Sequence, residues 1–227
     1  MFILGIETSS DICSIGITSK ENFLSELSAH THNAHSESLF PGILNVINTA
    51  GMNMKDLSGV AVSSGPGSFT GLRIGVSAAK GIAFALNIPL FLIPTLDIFA
   101  NYGLGLGKII CSIIPSIRGD VFYCYYKEKN GNVERISEYR LGKIEGMEKD
   151  FFKEGIFFTG IIGQELKSAL KMIYSNDETY FSNEYVVPRG FLVAKMGYKK
   201  MILSQSDDIE NSVPLYLREF DVKVKKF

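Results

Sequence analysis

Residues 63–91, SSGPGSFTGLRIGVSAAKGIAFALNIPLF, decide how this chain is read. Gly65, Gly67, Gly71 and Gly75 lead into an apolar run with helical spacing. Such a loop has two physical uses. Backbone N–H groups at a helix start can hold an anion, or the missing side chains can let another backbone come close. The nucleotide motifs match poorly. A P-loop needs GxxxxGK[ST], with a lysine that reaches the phosphates, and no lysine stands at that position. The segment from Gly65 to Gly71 reads GxGxxxG, one residue longer than the dinucleotide fingerprint GxGxxG. The strand–loop–helix shape keeps Gly65, Gly67 and Ser68 as candidate phosphate contacts.

The packing use rests on the helix expected over Thr70–Leu86. On a helical wheel Leu72, Val76, Ala79, Ala83 and Leu86 form one apolar stripe, and Gly71, Gly75, Ala78 and Ile82 a second. Arg73, Ser77 and Lys80 share one narrow polar edge. Apolar residues on two sides mean burial on two sides. One side faces the sheet, and the other faces either the rest of the chain or another subunit. The small residues Gly71, Gly75 and Ala78 would admit a neighbouring helix.

Outward from this stretch, the pattern is that of an α/β protein. Strands are expected at Phe2–Glu7, Ile12–Thr18, Phe23–Ala29, Leu57–Val62 and Leu90–Ile93. A helix is expected over Ser36–Ala50, with Leu39, Ile43 and Val46 on one face and Gly51 as its stop. After Gly103-Leu-Gly-Leu-Gly107 the pattern restarts. Strands follow at Ile109–Ile114, Val121–Tyr126 and Ile156–Thr159, and Asn130-Gly131 signals a hairpin. Helices are expected at Met147–Lys153, Gln164–Ile173 and Gly190–Leu203. The break near residue 103 divides the chain into an N-terminal lobe, 1–103, and a C-terminal lobe, 104–227.

Composition narrows the function. With 23 basic and 24 acidic side chains, the net charge of −1 gives no overall attraction to nucleic acid. Cys13, Cys111 and Cys124 sit among β-forming residues with no CxxC spacing, as expected of reduced core thiols in a cytoplasmic protein. The start MFILGIETSS carries no basic residue and reads as a first strand, not a signal peptide. No uninterrupted apolar run approaches the roughly 18 residues of a membrane span.

Three further constellations carry weaker signals. His30, His32 and His35 are the only histidines, and no acidic or thiol ligand joins them before Glu37, so a polar strand-to-helix connection is expected rather than a metal site. Ser63, Ser64 and Ser68 lie near glycines, but the GxSxG elbow is absent. Lys223, Lys225 and Lys226 form a short basic tail, expected to be solvated.

The glycine segment after the strand GVAVSS closely resembles the TsaB family. So do LGIETSSDICSIGI at the start, HSESLFPGIL, and the late VPLYLRE. The resemblance implies a two-lobed actin-like, sugar-kinase-like ATPase fold with mixed sheets flanked by helices. It implies a non-catalytic subunit that pairs with TsaD, and works with TsaE, in making threonylcarbamoyladenosine in tRNAs reading codons that begin with A. It also implies homodimers when the chain is alone and contact with tRNA only through the complex. TsaD relatives carry a metal-binding His-x-x-x-His where this chain has Thr95 and Phe99, so no metal and no catalytic residue is expected. Actin-like kinases use an acid and a glycine in a DxG-type turn. Here the turn is Glu7-Thr8-Ser9-Ser10, without the glycine. Glu7, Thr8 and Ser9 are therefore candidate phosphate contacts in a degenerate site. No cofactor is expected, with ATP or ADP at a shared interface as the exception. The family's Asp-Ala-Arg and Gly-Glu-Val-Tyr stand here as Ser116-Ile117-Arg118 and Gly119-Asp120-Val121-Phe122. The partner face is expected on the helices Ser36–Ala50 and Thr70–Leu86, through Leu39, Ile43, Val46, Gly71, Leu72, Gly75, Val76 and Ala79. A small metabolite kinase of the same fold is the alternative, and a peptidase a third reading.

Overall fold

A computed structural model describes residues 1–20, 22–31, 35–152, 155–174, 179–182 and 186–217. His32, Lys153 and the basic tail lie outside them. The first lobe begins with β1 (Phe2–Glu7), β2 (Ile12–Ser19) and β3 (Asn22–His30), then α1 (His35–Thr49), β4 (Gly59–Gly65), α2 (Phe69–Leu86) and β5 (Leu90–Pro94). A short helix α3 (Thr95–Ala100) leads to the second sheet. That sheet contains β6 (Ile109–Pro115), β7 (Val121–Lys129), β8 (Asn132–Arg135), β9 (Arg140–Gly142), β10 (Ile156–Gly160) and β11 (Thr179–Phe181), with α4 (Gln164–Tyr174) between the last two. Helix α5 (Gly190–Ile202) closes the fold.

The two sheets share one topology. The first runs β3-β2-β1-β4-β5 and the second β8-β7-β6-β10-β11. In each, a meander pairs antiparallel and the last two strands pair parallel across a crossover helix, α2 or α4. This duplicated architecture is not legible as a sequence repeat, because each copy needs only the same apolar pattern and not the same residues.

Local signals explain the element ends. The Ser68 side chain accepts a hydrogen bond from the Gly71 N–H at 3.2 Å and caps α2. Asn87 ends that helix in the left-handed conformation, two residues before Pro89. Asn130 and Gly131 both take positive φ, 52° and 70°, as a two-residue hairpin turn requires. Helix α2 does have the length and mean hydropathy, 18 residues and 1.2, of a membrane span, which the search for uninterrupted apolar runs missed. Here it packs in the core, with eight residues buried. The helix expected over Met147–Lys153 is instead a pair of 3₁₀ turns at Ile144–Gly146 and Lys149–Phe152. Gly146 interrupts the first of them, and glycine is a poor helix former. The strand expected from Leu57 starts at Gly59, because Leu57 terminates a 3₁₀ turn. Helix α3 and the short strands β9 and β11 gave too few residues for a periodic signal.

The break near residue 103 separates the sheets but not the helices. Helix α5, read as part of the second lobe, lies on the free face of the first sheet, where Val193 and Ala194 join a core with Ile3, Ala61, Phe91 and Ile98. Its first turn is anchored by polar groups of the neighbouring strands. The Gly190 N–H donates to Ser14 Oγ at 2.9 Å, the Phe191 N–H donates to Glu26 Oε1 at 2.9 Å, and Arg189 pairs with Glu26. Backbone meets backbone there. A Cβ on Gly5 would lie 2.1 Å from the Gly190 carbonyl oxygen, and one on Gly16 would lie 2.4 Å from the Phe191 nitrogen. Gly5→Ala is therefore expected to cost about 3 kcal/mol of stability by overpacking. Gly81→Ala, on an exposed turn of α2 with nothing within 4 Å, is expected to gain about 0.5 kcal/mol. Urea denaturation of both variants checks the contrast.

Candidate functional site

The glycines of the opening stretch are spoken for inside the chain. The turn after β1 presses its backbone onto the start of α2. A Cβ on Gly67 would lie 2.3 Å from the Ser9 carbonyl oxygen, one on Gly71 2.1 Å from the Thr8 carbonyl oxygen, and one on Gly75 2.2 Å from Thr8 Oγ1. The Ser68 N–H donates to the Ser9 carbonyl at 2.7 Å. Together with the Ser68 cap on the Gly71 N–H, this supplies the helix start with oxygens from the protein itself. Gly65 faces elsewhere, toward Leu72 and the backbone of Leu215.

Glu7, Thr8 and Ser9 are all buried. The Ser9 N–H donates to Glu7 Oε1 at 2.5 Å, and the Thr8 N–H donates to Ser63 Oγ at 3.2 Å. Burial pushes the Glu7 carboxyl up to about 7, and hydrogen bonds from Ser9 and Ser63 draw it only part of the way back. Beside this turn, a cleft of about 580 Å³ runs between the lobes. It is lined on one side by Ser9, Ser10, Asp11 and Gly67, and on the other by Ile161, Gly163, Gln164 and Val187. Among the described residues no lysine or arginine lines it, and Asp11 adds negative charge. With the α2 start already supplied with oxygens and no cation at hand, the residues present do not fit a polyphosphate. Asp11 and Gln164 escaped the sequence reading because nothing in their neighbourhoods marks them; only the fold brings them to one cleft.

Thr95 and Phe99 are fully buried in α3, and no group of three His, Cys, Asp or Glu side chains comes together among the described residues. His35 is buried against Thr31, and His30 lines the cleft. The cysteines are free and buried.

The expected partner residues need correction. Leu39, Ile43, Val46, Gly71, Leu72, Gly75, Val76 and Ala79 are all buried within this chain. The apolar stripes of α2 pack mostly inside the chain, although Ala78, Ile82 and Leu86, with Leu39 of α1, also line an open groove between the two helices. Gly71 and Gly75 admit Thr8, not a foreign helix. What α1 and α2 leave open is a different set of side chains. Phe40 and Leu44 on α1 are each 53% exposed, and Phe84 on α2 is 75% exposed. Between the helices runs an apolar groove of about 590 Å³, with Phe40, Ile74, Gly81 and Ala85 among its lining residues. Phe84 lies off both apolar stripes, and that misfit was the signal available in the sequence. The polar edge also has an internal use. Lys80 donates to the carbonyls of Glu210 and Ser212 at 3.0 Å, and Arg73 Nε donates to Tyr216 Oη at 3.4 Å. These bonds strap residues 208–217 along α2.

The family model for TsaD, tRNA N6-adenosine threonylcarbamoyltransferase, matches residues 27–220. The chain belongs to this TsaD-type family. Its curated relatives include TsaB of Bacillus subtilis, 34% identical over 136 residues, which are 60% of this chain and 59% of that protein. The TsaB membership expected from the glycine segment holds. Across the first three such relatives, the matched stretch spans 47% to 59% of their length. In three dimensions the chain is similar to YeaZ from Pseudomonas aeruginosa, at a TM-score of 0.83 and 19% identity over 95% of this chain and 99% of that one. It is more distantly similar to a ROK hexokinase from Thermus thermophilus, at 0.54 and 12% over 89% and 100%. The fold is thus the two-lobed actin-like, sugar-kinase-like one.

The buried Glu7 makes a pH prediction. Its folded pKa stands above the ordinary value, so the folded chain holds a proton that the unfolded chain has lost. Stability from this group is present below about pH 4.5 and falls as pH rises toward about 7. Glu7→Gln is expected to remove that fall, gaining up to about 3 kcal/mol at pH 8 relative to its effect at pH 4. Urea midpoints for both chains across this range check it; an effect equal at both ends would mean that another group titrates.

Proposed function

We propose that this protein is a non-catalytic accessory subunit in threonylcarbamoyl transfer to adenosine of tRNA, docking through the open face of α1 and α2 onto a TsaD-type chain. One observation carries the reading: after α1 and α2 have satisfied the protein's own core, an apolar groove walled by exposed Phe40 stays open between them, and Leu44 and Phe84 stand exposed on the same two helices. Exposed aromatic clusters of this kind are characteristic of docking surfaces. The family resemblance supports the choice of partner. The model for TsaD matches most of this chain, so a TsaD chain carries the corresponding helices and can meet α1 and α2 about a pseudo-twofold axis. Without that partner, two copies of this chain would bury the same face as a homodimer. TsaE and tRNA then engage the assembled complex rather than this subunit alone, in the cytoplasm. The cleft between the lobes works without a nucleotide of its own, in keeping with the lack of lysine and arginine among its described lining residues.

Gly75→Phe would disrupt the fold at Thr8 and cannot test docking. Phe84→Glu and Gly81→Leu can, because both sites are open. Each is expected to weaken the complex with co-expressed TsaD at least about tenfold, or ~1.4 kcal/mol, without lowering the thermal midpoint of the isolated chain. Analytical ultracentrifugation of the mixture, with reconstituted tRNA modification as a second readout, decides it. Wild-type affinity in both variants would remove α1–α2 as the docking face. ATP turnover by the wild-type chain alone would favour the kinase reading instead.

A further inference from the structure

On another side of the molecule, a recess of about 490 Å³ opens where the start of α2, the β6–β7 connection and the strap 208–217 meet. Leu72, Phe122 and Leu215 contribute apolar surface to it, and Ile117 and Tyr216 stand 61% and 41% exposed at its edge. None of its lining residues belongs to the α1–α2 groove.

One guanidinium group lies against the wall of this recess, and a second arginine directly follows its lining residue Ile117 in the chain. Arg73 lies 4.0 Å over the Phe69 ring and bonds Tyr216, so it is fixed in the aromatic wall of the recess. Arg118 follows Ile117 at the tip of the β6–β7 connection and is exposed. Neither arginine pairs with a carboxylate among the described residues. Arg118 also holds a positive φ of 60°, a conformation that disfavours any residue with a side chain. The surroundings impose it. Lys143 donates to the Arg118 carbonyl and pairs with Asp120 at 3.1 Å, and the Ser116 N–H donates to the Asp120 carbonyl at 2.8 Å. A strained backbone held by three separate contacts, displaying an exposed isoleucine and an arginine beside an apolar recess, has the character of a recognition loop.

We propose that this recess binds an extended segment of a protein partner that inserts an apolar anchor side chain and carries acidic residues beside it. Charge complementarity chooses the occupant: the anchor fills the Leu72–Phe122–Leu215 surface, and the flanking carboxylates meet Arg73 and Arg118 bidentately. Nucleic acid fits less well, since two cations on a chain of net charge −1 give little phosphate affinity and the recess presents apolar surface.

A random-peptide phage library selected on the full chain tests this, followed by fluorescence anisotropy with the winning peptide. The expected consensus is an apolar residue flanked by Asp or Glu. Ile117→Asp should weaken that peptide about tenfold or more, and so should Arg118→Gly. Arg118→Gly also separates recognition from folding: glycine suits the left-handed backbone, so the thermal midpoint should hold or rise while binding is lost. The α1–α2 variant Phe84→Glu should bind the peptide normally, so this result stands or falls apart from the docking reading. No consensus, a basic consensus, or binding that survives Arg118→Gly overturns the proposal. So does preferential binding of a labelled single-stranded RNA, or peptide binding that appears only in a chain ended at Leu217.

Discussion

The contact between the β1–β2 turn and the first half of α2 organises this molecule. Two backbones approach there more closely than any pair of side-chain-bearing residues allows, at Gly67 and Gly71, and the Thr8 side chain fills the space over Gly75. The approach seats the Ser9 carbonyl on the Ser68 N–H and buries Glu7, Thr8 and Ser9. It also sets one wall of the cleft between the lobes. A loop that in outline suits a phosphate is therefore filled by the chain's own oxygens. The same contact holds a carboxyl group away from water, which is why Glu7 keeps its proton to unusually high pH.

The second close approach, of α5 onto β1 and β2, decides how the lobes are joined. Each sheet contains a five-strand path of the same topology, β9 adding a sixth strand to the second, with a crossover helix on one face. The first sheet would be open on its other face without α5, which arrives from the far end of the chain to cover it. Gly5, Gly16 and Gly190 permit that arrival, and Glu26 and Ser14 satisfy the first amides of the helix. Short α3 ties the sheets together from the opposite direction, with Asp97 accepting hydrogen bonds from Tyr126 and Tyr139 of the second lobe at 2.7 and 2.8 Å. The lobes are thus bound by both covalent crossings and buried polar contacts.

Surface chemistry follows from what these contacts consume. The two apolar stripes of α2 are mostly used up internally, so the large side chains left exposed are those outside the pattern: Phe84 on α2, with Phe40 and Leu44 on α1. The narrow polar edge has internal partners as well: Lys80 holds the strap, and Arg73 is oriented by Tyr216 while staying exposed. Side chains that break a helical pattern carry more information about partners than those that make it.

Much of the first lobe was legible in the residues alone. The end of α2 was written in Asn87 and Pro89, the hairpin in Asn130-Gly131, and the strands in their β-branched runs, because each is a local preference of the backbone. The family was legible in the glycine segment for a related reason: close backbone contacts tolerate few residue types. The partner of each contact lay outside the sequence's reach. Helical periodicity reports that a face is apolar and not what covers it, so Gly75 read as a docking glycine although Thr8 fills its space. Nor does any local signal say that α5 returns to the first sheet, or that Glu7 is sealed from water. Those outcomes depend on residues more than fifty positions apart being brought together, and only the packing of the whole chain decides them.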